Sequence, residues 1–180
     1  MILQQYKIVF AGTMGAGKTE AIRSLSDIPV LLTEAFNTDT QSHQKMETTV
    51  GIDYGEVTLE DGVKIGLYGT PGQSRFDFIW SVICKGAIGA IILIDHSIEN
   101  PLHELENYLD TFQNYTDNIA IGITHTDLES KHSTNIYKNW LVQQELFSPL
   151  FFIDARKKED VLLLLEALIT SVEVNHNITT

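Results

Sequence analysis

The chain has 180 residues, 43% of them hydrophobic and 20% charged, with a formal net charge of −12, a composition fitting one soluble globular domain that spans 1–180 and buries a real core. So acidic a chain argues against nucleic-acid binding and against docking on an anionic membrane through a basic patch. The single cysteine, Cys84, excludes an intrachain disulfide and suits a reducing cytoplasm.

No apolar run approaches the ~20 residues of a membrane span. The N-terminus leads directly into a strand pattern without a signal-peptide layout, Ile2 rules out a myristoylation signal, and the NHNITT tail has no prenylatable cysteine. The expectation is a cytoplasmic protein with no direct membrane anchor.

Residues 6–11 (YKIVFA) form a short apolar run ending in a glycine-rich loop, as a buried strand would. A helical pattern follows over 18–26 and stops at Asp27-Ile28-Pro29. Residues 33–49 are polar and show no clear period; a stretch of that length inside a compact domain is usually functional or mobile. Residues 52–59 and 64–68 flank Asp61-Gly62, which predicts an antiparallel hairpin closed by a two-residue turn. Residues 87–94 (AIGAIILI) read as a central parallel strand covered on both faces. A helix over 101–114, a strand over 119–124, a helix over 134–146, a strand over 150–153 and a helix over 159–172 complete the chain. Strand and helix alternate, which predicts a doubly wound α/β fold with a mostly parallel six-stranded sheet and one antiparallel edge strand.

The loop Gly12-Thr13-Met14-Gly15-Ala16-Gly17-Lys18-Thr19 has the spacing of a phosphate-binding P-loop and falls after a strand and at the start of a helix, where that chemistry requires it. Its backbone N–H groups can curl around phosphates, and the helix N-terminus adds partial positive charge. Lys18 is placed to neutralise the β- and γ-phosphate oxygens, and the Thr19 hydroxyl to ligate Mg²⁺. A chance glycine-rich turn would not also carry the strand and the helix.

Four further segments fall in order along the chain. Thr48-Thr49-Val50-Gly51-Ile52-Asp53-Tyr54 resembles the end of switch I and the following strand of Ras/Rab-type small GTPases. Gly69-Thr70-Pro71-Gly72-Gln73-Ser74-Arg75-Phe76 is similar to their switch II. Thr124-His125-Thr126-Asp127 stands where they carry the guanine-reading Asn-Lys-x-Asp, and Asp154-Ala155-Arg156 takes the place of Ser-Ala-Lys. The resemblance covers nearly the whole chain and implies a small GTPase (G) domain, a P-loop NTPase fold. Tyr68-Gly69-Thr70-Pro71-Gly72-Gln73 is most similar to the prokaryotic Mgl/conservon branch, named for gliding-motility GTPases.

The resemblance implies residue roles. Asp127 would accept hydrogen bonds from guanine N1–H and the exocyclic amine, a donor pair that adenine lacks, so GTP is expected over ATP. His125 would stack on the base in place of the lysine, the Ala155 N–H would meet guanine O6, and Arg156 would flank the base. Thr124 is shorter than the asparagine that ties this segment to the phosphate loop, so weaker nucleotide affinity is expected. Gly72 would donate its N–H to the γ-phosphate and Gln73 would orient the attacking water. Thr49 is the expected second hydroxyl on Mg²⁺ in the triphosphate state, with Thr48 as fallback. An ordinary strand-end aspartate and a solvent-facing glutamine are the plain alternatives for Asp127 and Gln73.

One position departs from the pattern. The family places an aspartate where this chain has Gly69, so the carboxylate behind the metal is absent or comes from elsewhere. Asp53 and Asp95 are the nearest candidates, although a strand-surface residue and a turn residue are the commoner readings of the two. Looser Mg²⁺ and faster nucleotide exchange are the expected result; the Mgl branch also lacks this aspartate.

An arginine finger contributes roughly 10³–10⁵ in rate to such enzymes, yet residues 33–49 hold no arginine, only Lys45. Arg75 usually faces a partner or its own helix in this superfamily. The expectation is a GTP-binding regulatory switch that slowly hydrolyses GTP to GDP and is accelerated by a partner, which the resemblance to the Mgl/conservon branch implies is of Roadblock/LC7 type. The rival is a non-hydrolysing GTP/GDP-binding module, and an ATP-dependent kinase would leave the Thr-Pro-Gly-Gln and Thr-His-Thr-Asp segments unexplained. His43, His96, His103, His125 and His132 show no metal-ligand spacing. Cys84 reads as a core or helix-face residue, and Trp80 with Phe76–Phe78 as either core or a partner-binding patch.

Overall fold

A computed structural model of the chain describes residues 5–36, 49–72, 79–144, 146 and 148–178; for residues 33–36, 49–50 and 176–178 the description is of the backbone. In chain order the elements are β1 (Gln5–Ala11), α1 (Lys18–Leu25), β2 (Leu31–Phe36), β3 (Thr49–Thr58), β4 (Lys64–Gly69) and α2 (Trp80–Ile83). They continue with β5 (Gly89–Asp95), α3 (Pro101–Phe112), β6 (Ile119–Thr124), α4 (Asn135–Gln144), β7 (Leu150–Phe152) and α5 (Lys158–Ile178). The strands form one sheet in the order β2-β3-β4-β1-β5-β6-β7.

Period-two alternation divides the interior into two layers. From β1, Val9 and Ala11 enter the core under α2, α3 and α4, while Ile8 and Phe10 enter the core under α1 and α5. β5 divides in the same way, with Ala90, Ile92 and Ile94 on one side and Ile91 and Leu93 on the other. Its run of six consecutive buried residues follows from helices covering both faces. Helix α3 starts with Pro101 in its first turn and buries Leu105, Tyr108, Leu109 and Phe112, one stripe at helical spacing. Trp80 is buried, its ring 5.4 Å from Tyr108 and 5.3 Å from Phe112, which assigns it to the core. Cys84 is buried too, and burial raises its thiol to about 11.

Two expectations are corrected. The sheet has seven strands, not six, because residues 31–36 (LLTEAF) pair antiparallel with β3. Their alternation is obscured because two leucines stand side by side, and Leu31 and Leu32 are both exposed. β3 is the strand that runs against its neighbours β2 and β4, so β2 rather than β3 is the outer edge. The β3–β4 hairpin closes through three residues, Glu60-Asp61-Gly62, instead of two: Leu59 N–H donates to the Val63 carbonyl and Gly62 N–H to the Leu59 carbonyl, both at 2.9 Å. Gly62, at φ 85°, takes the left-handed position that ends such a turn.

β4, β1, β5, β6 and β7 are mutually parallel. Their C-terminal ends therefore emerge along one edge of the sheet, where open α/β folds place their ligands.

Candidate nucleotide-binding site

Residues 12–19 connect the C-terminal end of β1 to α1. Gly12 is fixed by space: at φ 143°, a Cβ there would lie 2.2 Å from the Leu93 carbonyl oxygen of β5. Gly12 and Ala16 are buried beneath the loop, whereas Met14 and Gly15 form its exposed rim. Gly17 caps α1 in a left-handed conformation with no side-chain cap bond, so the first-turn N–H groups of α1 are left for an anion. Lys18 donates from Nζ to the Gly12 and Thr13 carbonyls, at 2.6 and 2.7 Å. Burial lowers its ammonium to about 8 against the opposing pull of the Asp53 charge.

Two cavities adjoin at this edge, sharing Gly17, Glu20 and His125. The first, of about 390 Å³, is lined by Lys18, Thr19, Asp53, Gly69 and Gly72 among others. Thr19 Oγ1 donates a hydrogen bond to Asp53 Oδ2. Asp53 pairs with Gly69 across the β3–β4 ladder. Gly72 lies on the phosphate loop, where a Cβ would come within 2.4 Å of the Met14 nitrogen. Thr70 is buried, and its hydroxyl has no hydrogen-bond partner among the described residues.

The second cavity, of about 370 Å³, is lined by Thr124, His125, Asp127, Phe152, Ala155 and Arg156 among others. Thr124 is 1% exposed and its hydroxyl donates to the Ala16 carbonyl at 2.9 Å. Although shorter than the asparagine of the pattern, Thr124 reaches the phosphate loop. β6 and the loop approach closely enough for a short side chain to span the gap. His125 holds φ 58°, an uncommon conformation for a residue with a Cβ, with Nδ1 2.9 Å from Thr124 Oγ1 and 3.5 Å from Asp95 Oδ1.

Asp127 is exposed at the rim, its Oδ2 3.4 Å from the Arg156 guanidinium. Arg156 is bound mainly by Asp154, with Nε and Nη2 each donating at 2.8 Å to one of its two carboxylate oxygens. These hydrogen bonds hold the Asp154 carboxyl down at about 2. Asp154 N–H in turn donates to Asp160 Oδ2 at 2.8 Å. Sequence reasoning did not single out Asp154 or Asp160 for this role; the acidic-x-basic order of Asp154-Ala155-Arg156 was the available signal.

The structure thus brings together the phosphate loop, Gly72, Thr124, His125, Asp127, Ala155 and Arg156 along one edge. Gln73, Arg75, Phe76–Phe78, Thr48 and Lys45 lie outside the described residues, and Thr49 is described in its backbone alone, at the start of β3. Asp95 takes the plain turn role, accepting from Ser97 N–H at 2.8 Å and from its hydroxyl at 2.6 Å. Among the described residues no group of three His, Cys, Asp or Glu side chains could hold a metal ion, and no helix is long and apolar enough to cross a membrane.

A glycine-rich loop running from a central parallel strand into a helix, with ligand-sized cavities at the strand ends, defines a P-loop domain of the small-GTPase fold. A family model described as the Ras family matches residues 7–174, and the chain belongs to the Ras family. It is 33% identical over 96 residues to an uncharacterized protein of Methanocaldococcus jannaschii, covering 52% of this chain and 53% of the relative. It is 32% identical over 93 residues to Ras-related protein Rab-10 of Caenorhabditis elegans, covering 50% and 40%. With human Ras-related protein Rab-8B it shares 33% over 93 residues, covering 50% and 39%. The chain therefore spans about half, or somewhat less, of the length of these relatives.

Proposed function

We propose that this protein is a GTP-binding regulatory switch that hydrolyses GTP slowly to GDP and is accelerated by a partner. The observation that carries this reading is the pair of adjoining cavities, one built on the phosphate loop and the other presenting the Asp127 carboxylate beside Ala155. Membership of the Ras family supports it.

The loop N–H groups and the N-terminus of α1 take the phosphates. Lys18 exchanges the Gly12 and Thr13 carbonyls for β- and γ-phosphate oxygens. Asp127 accepts from guanine N1–H and the exocyclic amine, the Ala155 N–H meets O6, and His125 and Arg156 flank the ring. Thr124 braces this end of the site against Ala16. Thr19, joined by Thr49 in the triphosphate state, would hold Mg²⁺, which would supply charge to neutralise the phosphate oxygens.

Gln73 orients the attacking water, and Gly72 turns its N–H to the γ-phosphate. Loss of that phosphate releases Thr49 and Gly72, and the two switch segments with them. Residues 33–49 lack an arginine, so hydrolysis is slow until a partner orders Gln73 or adds a cation. The Tyr68-Gly69-Thr70-Pro71-Gly72-Gln73 segment supports placement in the prokaryotic Mgl/conservon branch, with a Roadblock/LC7-type dimer as activator or effector and a cytoplasmic setting.

Calorimetric titration with GDP, GTP and ATP tests the nucleotide, and equal affinity for ATP overturns the guanine reading. Single-turnover GTP hydrolysis by wild type and Gln73→Ala, with and without a Roadblock-type dimer, tests the catalysis. Identical rates for the two proteins would leave a non-hydrolysing GTP/GDP-binding module.

A further inference from the structure

Asp127 is exposed and meets Arg156 at 3.4 Å, so the aim of its carboxylate depends on how its loop is held on either side. On the β6 side, His125 takes its left-handed conformation and its carbonyl accepts the Leu128 N–H at 3.2 Å. On the other side, residues 130–132 are tied to residues 96–99, which leave the end of β5. Ser130 Oγ donates to the His96 carbonyl at 3.1 Å, and His132 N–H donates to Ser130 Oγ at 3.2 Å. His132 Nε2 lies 2.7 Å from the Glu99 carbonyl. The central tie is the His96 ring, 3% exposed, with Nε2 3.1 Å from the His132 carbonyl. Its Nδ1 lies 3.0 Å from the hydroxyl of Tyr137, a fully buried residue of α4.

A carbonyl only accepts, so Nε2 carries the hydrogen and the Nδ1 lone pair takes the Tyr137 hydrogen. Burial, and then the Asp95 charge, raise the Tyr137 phenol, which keeps that donor in place. An imidazole and a phenol buried this deeply are costly unless paired, and pairing fixes one tautomer and one direction. An apolar pair would fill the same volume and fix neither. The Tyr137 ring also meets Phe152 edge-on, at 6.0 Å between centroids, and Phe152 lines the cavity beside Asp127. We propose that His96 is a positioning residue for base recognition: as the Nε2–H tautomer set by Tyr137, it pins the loop that presents Asp127. His96 itself lines neither cavity, so it acts through that loop. The inference rests on the reading of Asp127 as the guanine-reading carboxylate.

The test is calorimetric affinity for GDP and for ADP, which uses the phosphate loop but lacks the N1–H and amine donors, together with NMR of the His96 ring nitrogens. Wild-type spectra should show Nε2 protonated and Nδ1 bare; the opposite tautomer overturns the proposal. His96→Leu should weaken GDP binding about 3–30-fold, the range of substitutions that act through a packed network, and leave ADP binding nearly unchanged. His96→Gln places an amide N–H near the Nε2 position and should recover most of the loss. Tyr137→Phe keeps the ring against Phe152, removes the hydroxyl, and should lower the preference for GDP in the same direction. With folding verified by circular dichroism, a wild-type GDP preference in His96→Leu overturns the proposal, as do equal losses for GDP and ADP. A glutamine variant no better than the leucine variant overturns it too. If His96→Leu does not fold, Tyr137→Phe decides, and an unchanged GDP preference there overturns the proposal. Wild type with no preference for GDP over ADP defeats instead the reading of Asp127 beneath it.

Discussion

The two cavities at the C-terminal edge of the sheet depart from the Ras/Rab pattern in different ways. In the cavity beside Asp127, residue types change while positions hold: Thr124 stands where an asparagine is expected and still reaches the Ala16 carbonyl. In the cavity beside Thr19, the end of β4 carries Gly69 where the pattern has an aspartate, and the residue facing it on β3 is Asp53. The Thr124 contact holds because the phosphate loop lies close enough to the end of β6 for the shorter side chain to reach it.

The largest expected effect is at the element both cavities depend on. Lys18→Ala should weaken GDP binding by about 10²–10⁴-fold, the loss of two charge-assisted hydrogen bonds, measured by calorimetry. An effect within a few-fold would mean that the lysine stays on the Gly12 and Thr13 carbonyls when ligand is bound. Asp127→Ala comes next, with GDP binding reduced about 10–100-fold and ADP binding nearly unchanged. Equal losses for both purines would remove base reading from this side of the comparison.

Thr124→Val tests whether a shorter brace is a brace at all. Deleting a hydroxyl that is 1% exposed leaves the Ala16 carbonyl without it, which should cost about 1–3 kcal/mol of stability. In a chain of this size the melting temperature falls by roughly 2–4 °C per kcal/mol, readable by calorimetric scanning. An unchanged melting temperature would break the comparison at its base-side end.

The smallest effect belongs to Arg156→Ala, since exposed ion pairs contribute about 0–1 kcal/mol. Its signature is a titration. Asp154 is held at about 2 in the folded chain, below the ~3.9 of an unfolded aspartate. Its contribution to stability is therefore complete above the unfolded value and lost as pH falls towards 2. In the variant, the Asp154 carboxyl signal in NMR should titrate nearer the ordinary carboxylate range, and this part of the acid dependence should flatten. An unmoved titration would show that Asp154 is governed by the N–H groups around it.

Legibility in the sequence follows how local each signal is. The phosphate loop lies within eight residues flanked by a strand and a helix, and β5 announces itself as an unbroken apolar run. Asp127 and Ala155 are found by their places after β6 and β7. By contrast, β2 is an edge strand with an exposed leucine pair and a short, mixed sequence, so neither period nor burial marks it. The reach of Thr124 depends on its spatial distance from Ala16, which lies 108 positions earlier. Asp53 is the instructive case. It reads as an ordinary strand residue until the register of β3 against β4 sets it opposite Gly69 and against Thr19.

That register gives the turn at Glu60-Asp61-Gly62 an influence well beyond its own end of the sheet. The Leu59–Val63 pair that closes it belongs to the same antiparallel ladder that, further along, sets Asp53 opposite Gly69. A strand shifted by one residue turns every side chain to the other face, so inserting or deleting a single residue in this turn would carry Asp53 from the α1 face to the opposite one. The length of a three-residue turn is in this sense a dimension of the nucleotide site, written at the far end of a hairpin.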